Sequence, residues 1–577
     1  MAENSVVKRP DLDRVIHYTR KPLNWVGILL GFWLLPTVAP TPNASAAERV
    51  YLSYDILERS ISVDSLAAYA QQGRIKDDLA PYIQYAKPEQ QAQLRNLLLR
   101  RLDVSPVPIS QFLYTPPAEI LLQRLGEVIK TDSGQTGSRA IRAALILASA
   151  DRDGLTLLNV LRKFPTSSVR IDLARALEIA NELSTIFDQT EKALALVSQQ
   201  STAAVADSPV NLSQLPDLQQ RGSFTWRKET LKLNDTNRHR QFLADIYLPI
   251  SSGIQQPQTP AKLIVISHGL GSDRQTFVYL AEHLASYGFA VAVPEHPGSN
   301  AQQLQDLLSG KANEVSEPIE FINRPLDIKF LLNELTLLSQ FNPAFKGKIN
   351  LREVGMIGQS FGGYTALVLA GATLNFPKLQ KDCAAINNSW NTSLLLQCRA
   401  LLLPPSQYNN LRDERIKAAI AINPISSSIL GPDGLSQIKI PVMFVSGSAD
   451  TVAPALAEQI QPFTWLTTPN KYLVVMKNGT HFSTLAPTES DLPLPESVLG
   501  PDLALARSYT KAFGLAFFGF YIANRPQYQP YLSASYVESI GREPLTLSFV
   551  RSLSQIDLKA ALQRSTTQAT TSPKGTN

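Results

Sequence analysis

The chain has 577 residues, of which 44% are hydrophobic and 18% charged, with a formal net charge of +5. One hydrophobic core stops growing near ~250–300 residues, so this length calls for more than one domain, and the composition excludes a disordered polymer and a polytopic membrane protein. The small positive charge is not gathered into a block, which argues against a nucleic-acid partner.

At the start, Lys8, Arg9, Arg14, Arg20 and Lys21 precede an apolar run from Trp25 to Leu35, and a small-residue stretch with Ala44, Ser45 and Ala46 follows. This order predicts a secretory signal peptide over residues 1–46 and a periplasmic or extracellular location. A spanning helix needs ~20 apolar residues, and this run reaches about half of that before Pro36. An uncleaved N-terminal membrane anchor is the alternative.

Residues 47–200 read as consecutive helices. Leu94, Leu97, Leu98 and Leu102 share one face, and Leu173, Leu177, Ala180, Leu183 and Phe187 form another stripe at helical spacing. The pattern predicts a smaller all-α domain whose stripes pack a core and whose polar residues form no chemical cluster. Residues 201–222 are polar, contain Pro209 and Pro216, and predict a linker.

From 223 to 545 the pattern changes. Lys228 to Leu233 and Gln241 to Leu248 predict a hairpin turning at Asn234 to Asn237. Strand-like runs at Leu263 to Ser267, Phe289 to Val293, Glu353 to Ile357, Ala418 to Ile422, Val442 to Ser446 and Tyr472 to Met476 then alternate with helical stretches. This alternation predicts the α/β class, a mostly parallel sheet covered by helices, with its site at the carboxyl ends of the strands. Residues 563–577 are Ser/Thr/Gln-rich and predict a disordered tail.

The strand at Glu353 runs into Gly358-Gln359-Ser360-Phe361-Gly362-Gly363, and a helix follows from Tyr364. Strand, tight turn and helix is the setting in which a G-x-S-x-G serine becomes a nucleophile, and glycines flank it because a Cβ there would collide with neighbouring backbone. A serine hydroxyl needs a base, and His481 is the one histidine downstream of Ser360. His17, His239 and His283 have plain positions in the leader, a turn and a helix, and His296 precedes the nucleophile. The acid lies among Asp382, Asp413, Glu414, Asp433, Asp450 and Glu458. Asp450 ends the next-to-last predicted strand, where a carboxylate can orient the histidine, whereas Glu458 reads as part of a surface helix. For the oxyanion, the amide of Phe361 follows the nucleophile, and Leu270 in the loop Ser267 to Ser272 offers the second. His268 is then a positional residue of that loop.

The two cysteines, Cys383 and Cys398, share one short segment and no histidine lies near either, so no metal site and no cofactor are expected. They are either a disulfide or two buried thiols. The insertion Thr373 to Leu411 that holds them, with Trp390, is either a roof that shapes an apolar acyl pocket or a surface excursion.

The loop Ile266 to Ser272, the stretch Ala281 to His296 and the elbow Gly358 to Gly363 resemble the platelet-activating-factor acetylhydrolases and the related predicted dienelactone hydrolases. Asp450-Thr451-Val452-Ala453-Pro454 and Gly479-Thr480-His481-Phe482 look like the acid and base loops of bacterial cutinase-type polyester hydrolases. The resemblance runs from about Phe224 to Tyr531 and implies an α/β-hydrolase fold with a mostly parallel eight-stranded sheet. It also implies a Ser360, Asp450, His481 triad. One departure stands out. Where the first group carries its acid, after Ala418 to Ile422, this chain has Asn423, which weakens transfer of the phospholipid-acetyl specificity. Cysteine nucleophiles of the wider group are excluded by Ser360. Glu48 to Arg59, Asp103 to Val107 and Gln111 to Pro116 resemble an uncharacterised helical domain that precedes hydrolase domains in cyanobacterial proteins.

These residues together predict an exported serine hydrolase of lipid or other carboxylic esters, with a small-molecule or lipid ester as partner and contact with a membrane surface. The rivals are an acyltransferase or peptidase with the same triad and a catalytically silent scaffold.

Overall fold

Short β-branched runs joined by helices can bury both faces of a sheet only if helices cover each side. The computed structural model describes residues 46–102, 104–207, 215–250, 259–403, 410–488 and 495–564. The predicted signal peptide, except Ala46, and the tail beyond Arg564 lie outside the described residues.

The larger sheet has nine strands: β5 (Thr225–Asp235), β6 (Arg240–Ile250), β7 (Ala261–Ser267), β8 (Ala290–Pro294), β9 (Ile349–Gln359), β10 (Ile416–Ile422), β11 (Val442–Gly447), β12 (Lys471–Met476) and β13 (Leu547–Val550). Their order is β13-β12-β11-β10-β9-β7-β8-β6-β5. The six strands from β7 to β12 run parallel, while β5, β6 and β13 are joined antiparallel at the two ends. The expected eight strands are thus present with a ninth. β13 has only four residues, too short for an alternating pattern to announce it, and it pairs through the register Leu473 with Val550.

Residues alternate strictly between the two faces. Leu263 and Val265 of β7 enter one core with the helices Glu320–Phe341 and Phe361–Leu369, while Ile264 and Ile266 enter the other with Val278–Ser286 and Leu503–Tyr521. Pro325 sits inside the helix Glu320–Phe341 and has no amide hydrogen, which leaves the carbonyl of Phe321 without its helical donor. The Tyr364 hydroxyl donates to that carbonyl at 2.9 Å, so the break in one helix is where the two helices lock together.

The N-terminal region is not all-helical as expected. Its helices surround a four-stranded sheet of β1 (Arg49–Tyr54), β2 (Leu57–Ser62), β3 (Ile129–Lys130) and β4 (Ser168–Asp172), in the order β2-β1-β4-β3. Asp55, at φ 52°, turns β1 into β2, and β4 joins β1 in parallel across more than a hundred residues. These strands bury few side chains, Val50 and Ile61 among them, so their alternation is weak in the sequence. Nor does a linker begin at residue 201. The helix Leu173–Asp207 continues through it, burying Ala193 and Val197 in the core of the larger sheet, and Ser201 Oγ accepts the Phe549 amide at 2.9 Å. Among the described residues no helix is long and apolar enough to cross a membrane.

Gly355 in β9 is a point of close packing of sheet on helix. A Cβ there would lie 2.6 Å from Ile264 Cδ1 and 2.7 Å from Phe518 Cδ1, both buried. Gly355→Val is expected to cost about 1–3 kcal/mol or more, read as a lower urea midpoint. An unchanged midpoint would show that the helix Leu503–Tyr521 is not seated as described.

Candidate active site

A parallel sheet presents its loops at the carboxyl ends of its strands, and four such loops converge here: after β7, β9, β11 and β12. Ser360 follows β9, the central strand, and begins the helix Phe361–Leu369 with φ 56° and ψ −117°, outside the regions an L-residue prefers. A Cβ on Gly358 would run into the carbonyl of Gly362, and one on Gly362 into that of Ser267. Only glycine lets the strand, the helix and the neighbouring loop approach this closely.

Asp450 follows β11 and His481 follows β12; both are buried. His481 Nδ1 lies 2.7 Å from Asp450 Oδ2, while Asp450 Oδ1 accepts the amides of Val452 at 2.8 Å and Ala453 at 2.7 Å. The carboxylate therefore has its orientation set by its own loop, and it selects the tautomer that leaves His481 Nε2 unprotonated. Gln359, next to Ser360, donates from Nε2 to the His481 carbonyl at 3.0 Å and ties the His481 loop to the turn at Ser360. No hydrogen bond joins the Ser360 hydroxyl to the His481 ring in this structure; catalytic contacts of this kind commonly tighten when substrate binds.

Asn423, where the acid of the resembled group would stand, is a bracket. At φ 42° it follows β10, accepts the Gly447 amide at 2.8 Å and donates to the Thr480 carbonyl at 3.2 Å. It holds the ends of β10 and β11 against the base loop.

Phe361 follows Ser360 in the chain, and Leu270 follows Gly269 in the loop that approaches it. Gly269 packs directly on Gln359, and a Cβ on it would stand 3.4 Å from Ser360 Cβ. Among the described residues neither the Leu270 nor the Phe361 amide has an acceptor. His268 is fully buried. The His296 amide donates to its Nε2 at 3.1 Å, so Nδ1 carries the proton and donates to the Gly269 carbonyl at 2.8 Å. His296 is buried between Ser267 Oγ at 2.9 Å and Asp327 Oδ2 at 3.1 Å. Around it Arg240 grips Asp327 and Glu320, and Arg238 grips Asp327, in a buried ionic cluster that sequence reasoning did not find. Its members are scattered from Arg238 to Asp327, and only the fold gathers them.

The rejected acids have other partners. Asp413 pairs with Arg415, Asp433 accepts from Asn375, and Asp382 pairs with Lys378. Glu458 lies in no surface helix. It is fully buried in the π-helical turn Leu456–Ile460, where its carboxylate takes the Ser426 amide at 2.6 Å, the Ser427 amide at 2.9 Å, Ser393 Oγ at 2.7 Å, Asn391 Nδ2 at 2.5 Å and Gln397 Nε2 at 3.0 Å. Those donors come partly from the insertion, whose Cys383 and Cys398 form a disulfide with Cα atoms 5.7 Å apart. Thr392 Oγ1 meets the Thr451 and Val452 carbonyls at 2.6 and 2.9 Å, so the insertion braces the acid loop from outside. Trp390 turns away to the N-terminal region, donating to Glu182 at 3.0 Å with Arg124 5.4 Å from its ring centroid.

Among the described residues, nine strands with a tight strand-to-helix turn at Ser360 on the central one settle the architecture. The chain has the α/β-hydrolase fold. Residues 46–172 match the family described as an α/β-hydrolase of unknown function, DUF1400, and residues 231–327 match platelet-activating factor acetylhydrolase, isoform II. The second match spans β6 to β8, the Leu270 loop and the buried ionic cluster. Ser360, Asp450 and His481 lie outside both matched stretches.

Two outcomes follow. Burial holds His268 down to about 3 and His283 down to about 4, and His296 also falls well below its usual value. A histidine depressed in the native state takes up its proton first when unfolded, so stability is full above ~6.5 and is lost as pH falls toward 4. Asp327, pushed up to about 6 by burial against its arginines, and Glu295, also raised by burial, act in the opposite sense, three groups against two. Urea midpoints are expected to drop steadily from pH 7 to pH 5, and equal midpoints would reject buried neutral histidines. Trp390→Ala is expected to leave acyl chain-length preference unchanged and to cost about 0.5–1 kcal/mol in thermal stability. A shifted preference would restore it to the pocket.

Proposed function

We propose that this α/β-hydrolase is a serine esterase acting on lipid or other carboxylic esters in an oxidising compartment outside the cytoplasm. The observation that carries the reading is the Asp450 carboxylate fixed by two amides and bonded to His481 Nδ1 at 2.7 Å, beside the strained Ser360. Ser360 Oγ attacks the ester carbonyl and passes its proton to His481 Nε2, and Asp450 stabilises the imidazolium so formed. The Leu270 and Phe361 amides receive the oxyanion of the tetrahedral intermediate. Collapse releases the alcohol, which takes the proton back from His481. Water then attacks the acyl-enzyme with His481 again as base, releasing the acid.

Apolar side chains adjoin each reacting group: Leu270 at the donor loop, Val452 beside the acid and Phe482, whose ring centroid is 5.3 Å from that of His481. They favour an apolar acyl or alkyl group. The similarity to platelet-activating factor acetylhydrolase points the same way. A disulfide between Cys383 and Cys398 supports export, because such bonds persist in oxidising compartments.

A fluorophosphonate probe is expected to label Ser360 in the full chain, with turnover of p-nitrophenyl butyrate. Ser360→Ala should abolish labelling and lower kcat by about 10⁴–10⁶-fold, and Asp450→Asn by about 10⁴-fold. A folded wild-type protein that neither labels nor turns over any p-nitrophenyl ester would falsify the reading.

A further inference from the structure

We propose that Arg324 is a positioning residue of the oxyanion hole, orienting the Leu270 amide and holding a positive charge behind both donor residues. The inference rests on the acyl-transfer reading above and deepens it.

Arg324 lies near the start of the helix Glu320–Phe341 and is fully buried. Its Nη2 donates to the His268 carbonyl at 2.6 Å and reaches the Gly269 carbonyl at 3.5 Å. Its Cζ stands 4.6 Å from the centroid of the Phe361 ring. One guanidinium therefore touches the loop that carries one donor amide and the side chain of the residue that carries the other.

The direction of the Leu270 amide follows from the peptide unit. In a trans peptide the carbonyl of Gly269 and the N–H of Leu270 point opposite ways. That carbonyl faces inward, where it accepts His268 Nδ1 at 2.8 Å with Arg324 beyond it. The N–H therefore points away from that buried network, and it has no acceptor within the described residues. Removing the inward partners would free the unit to rotate, and the donor would lose its aim.

The charge of Arg324 also has an unusual setting. Glu320 and Asp327 are on its own helix, but Arg240 holds both, and Arg324 forms no ion pair with either. Its Nε and Nη1 are buried without a hydrogen-bond partner. Burying a cation this way is costly, and Glu320 and Asp327 on the same helix offset that cost only through space. A negative charge developing on the substrate oxygen beyond the Phe361 and Leu270 amides is favoured by that cation in a site shielded from water. Burial lowers the Arg324 pKa to about 9, so the charge is kept at neutral pH.

The test uses the full chain with Arg324→Met, which removes the charge and the donors, and Arg324→Lys, which keeps the charge. Both are assayed on p-nitrophenyl butyrate, with a trifluoromethyl ketone of matching chain length as tetrahedral-adduct inhibitor. Arg324→Met is expected to lower kcat by about 10²-fold, to move KM by less than about threefold and to weaken the ketone in parallel with kcat. Arg324→Lys should recover about tenfold of that loss. Unchanged kcat and ketone affinity in Arg324→Met, beside an active wild type that labels with fluorophosphonate, would overturn this inference alone. An inactive, unlabelled wild type would remove the esterase reading and this inference with it. If Arg324→Met does not fold, Arg324→Lys decides: kcat and ketone affinity falling together support the role, and both at wild-type level reject it.

Discussion

The rest of the site depends on one strained residue. Ser360 holds a backbone conformation that no L-residue adopts freely, and it persists because the structure around it leaves no alternative. Its amide is bonded to the Ile422 carbonyl at 2.8 Å and its carbonyl accepts the Tyr364 amide at 3.0 Å. The strand cannot continue and the helix cannot begin a residue later, because Gly358 and Gly362 pack against each other and against the β7 loop. Strain of this kind projects the hydroxyl out of the sheet edge, where neighbouring loops can reach it.

Two buried polar networks support the loops on either side of that serine. Under the donor loop, Arg238, Arg240, Glu320, Asp327, His268 and His296 tie β6, β8 and the helix Glu320–Phe341 to the carbonyls of His268 and Gly269. Beside the acid loop, Glu458 gathers donors from the insertion and from the turn after β10. Densely bonded networks of this kind are rigid, because displacement leaves further buried polar groups unsatisfied. The insertion has a further consequence. Trp390, Asn391 and Thr392 are consecutive, yet they reach the N-terminal region, the Glu458 carboxylate and the acid loop in turn. The N-terminal region is thereby coupled to the acid loop through three adjacent residues, which gives it a mechanical connection to the site although it carries none of the reacting groups.

Where sequence and structure part, the reason is physical. The strands β1 and β2 escaped notice because only Val50 and Ile61 among their facing residues are fully buried, so the alternation that marks a half-buried strand is faint. The boundary placed at residue 201 failed because Ser201 looks polar in isolation, while in the fold its hydroxyl receives the amide of an edge strand more than three hundred residues away. Glu458 read as a surface charge for the same reason: a carboxylate is costly to bury alone, and the donors that make burial tolerable come from Asn391, Ser393, Gln397, Ser426 and Ser427. The sequence left the insertion that holds Trp390 open between a pocket roof and a surface excursion, and in the fold its indole bonds Glu182.

The sequence by itself determined the α/β class, the run of parallel strands, the elbow at Ser360 and the residues that could serve as its base and acid. These are local matters: a strand period of two, a glycine where no Cβ fits, a single histidine downstream of the serine. Only the tertiary structure decided that Asn423 braces loops where the resembled group keeps its acid, that the N-terminal region contains a sheet, and that Arg324 is buried against the His268 and Gly269 carbonyls. Those features arise from pairing between residues tens to hundreds of positions apart. Pairing at that range depends on which chain segments the sheet order brings side by side, and no local pattern encodes it.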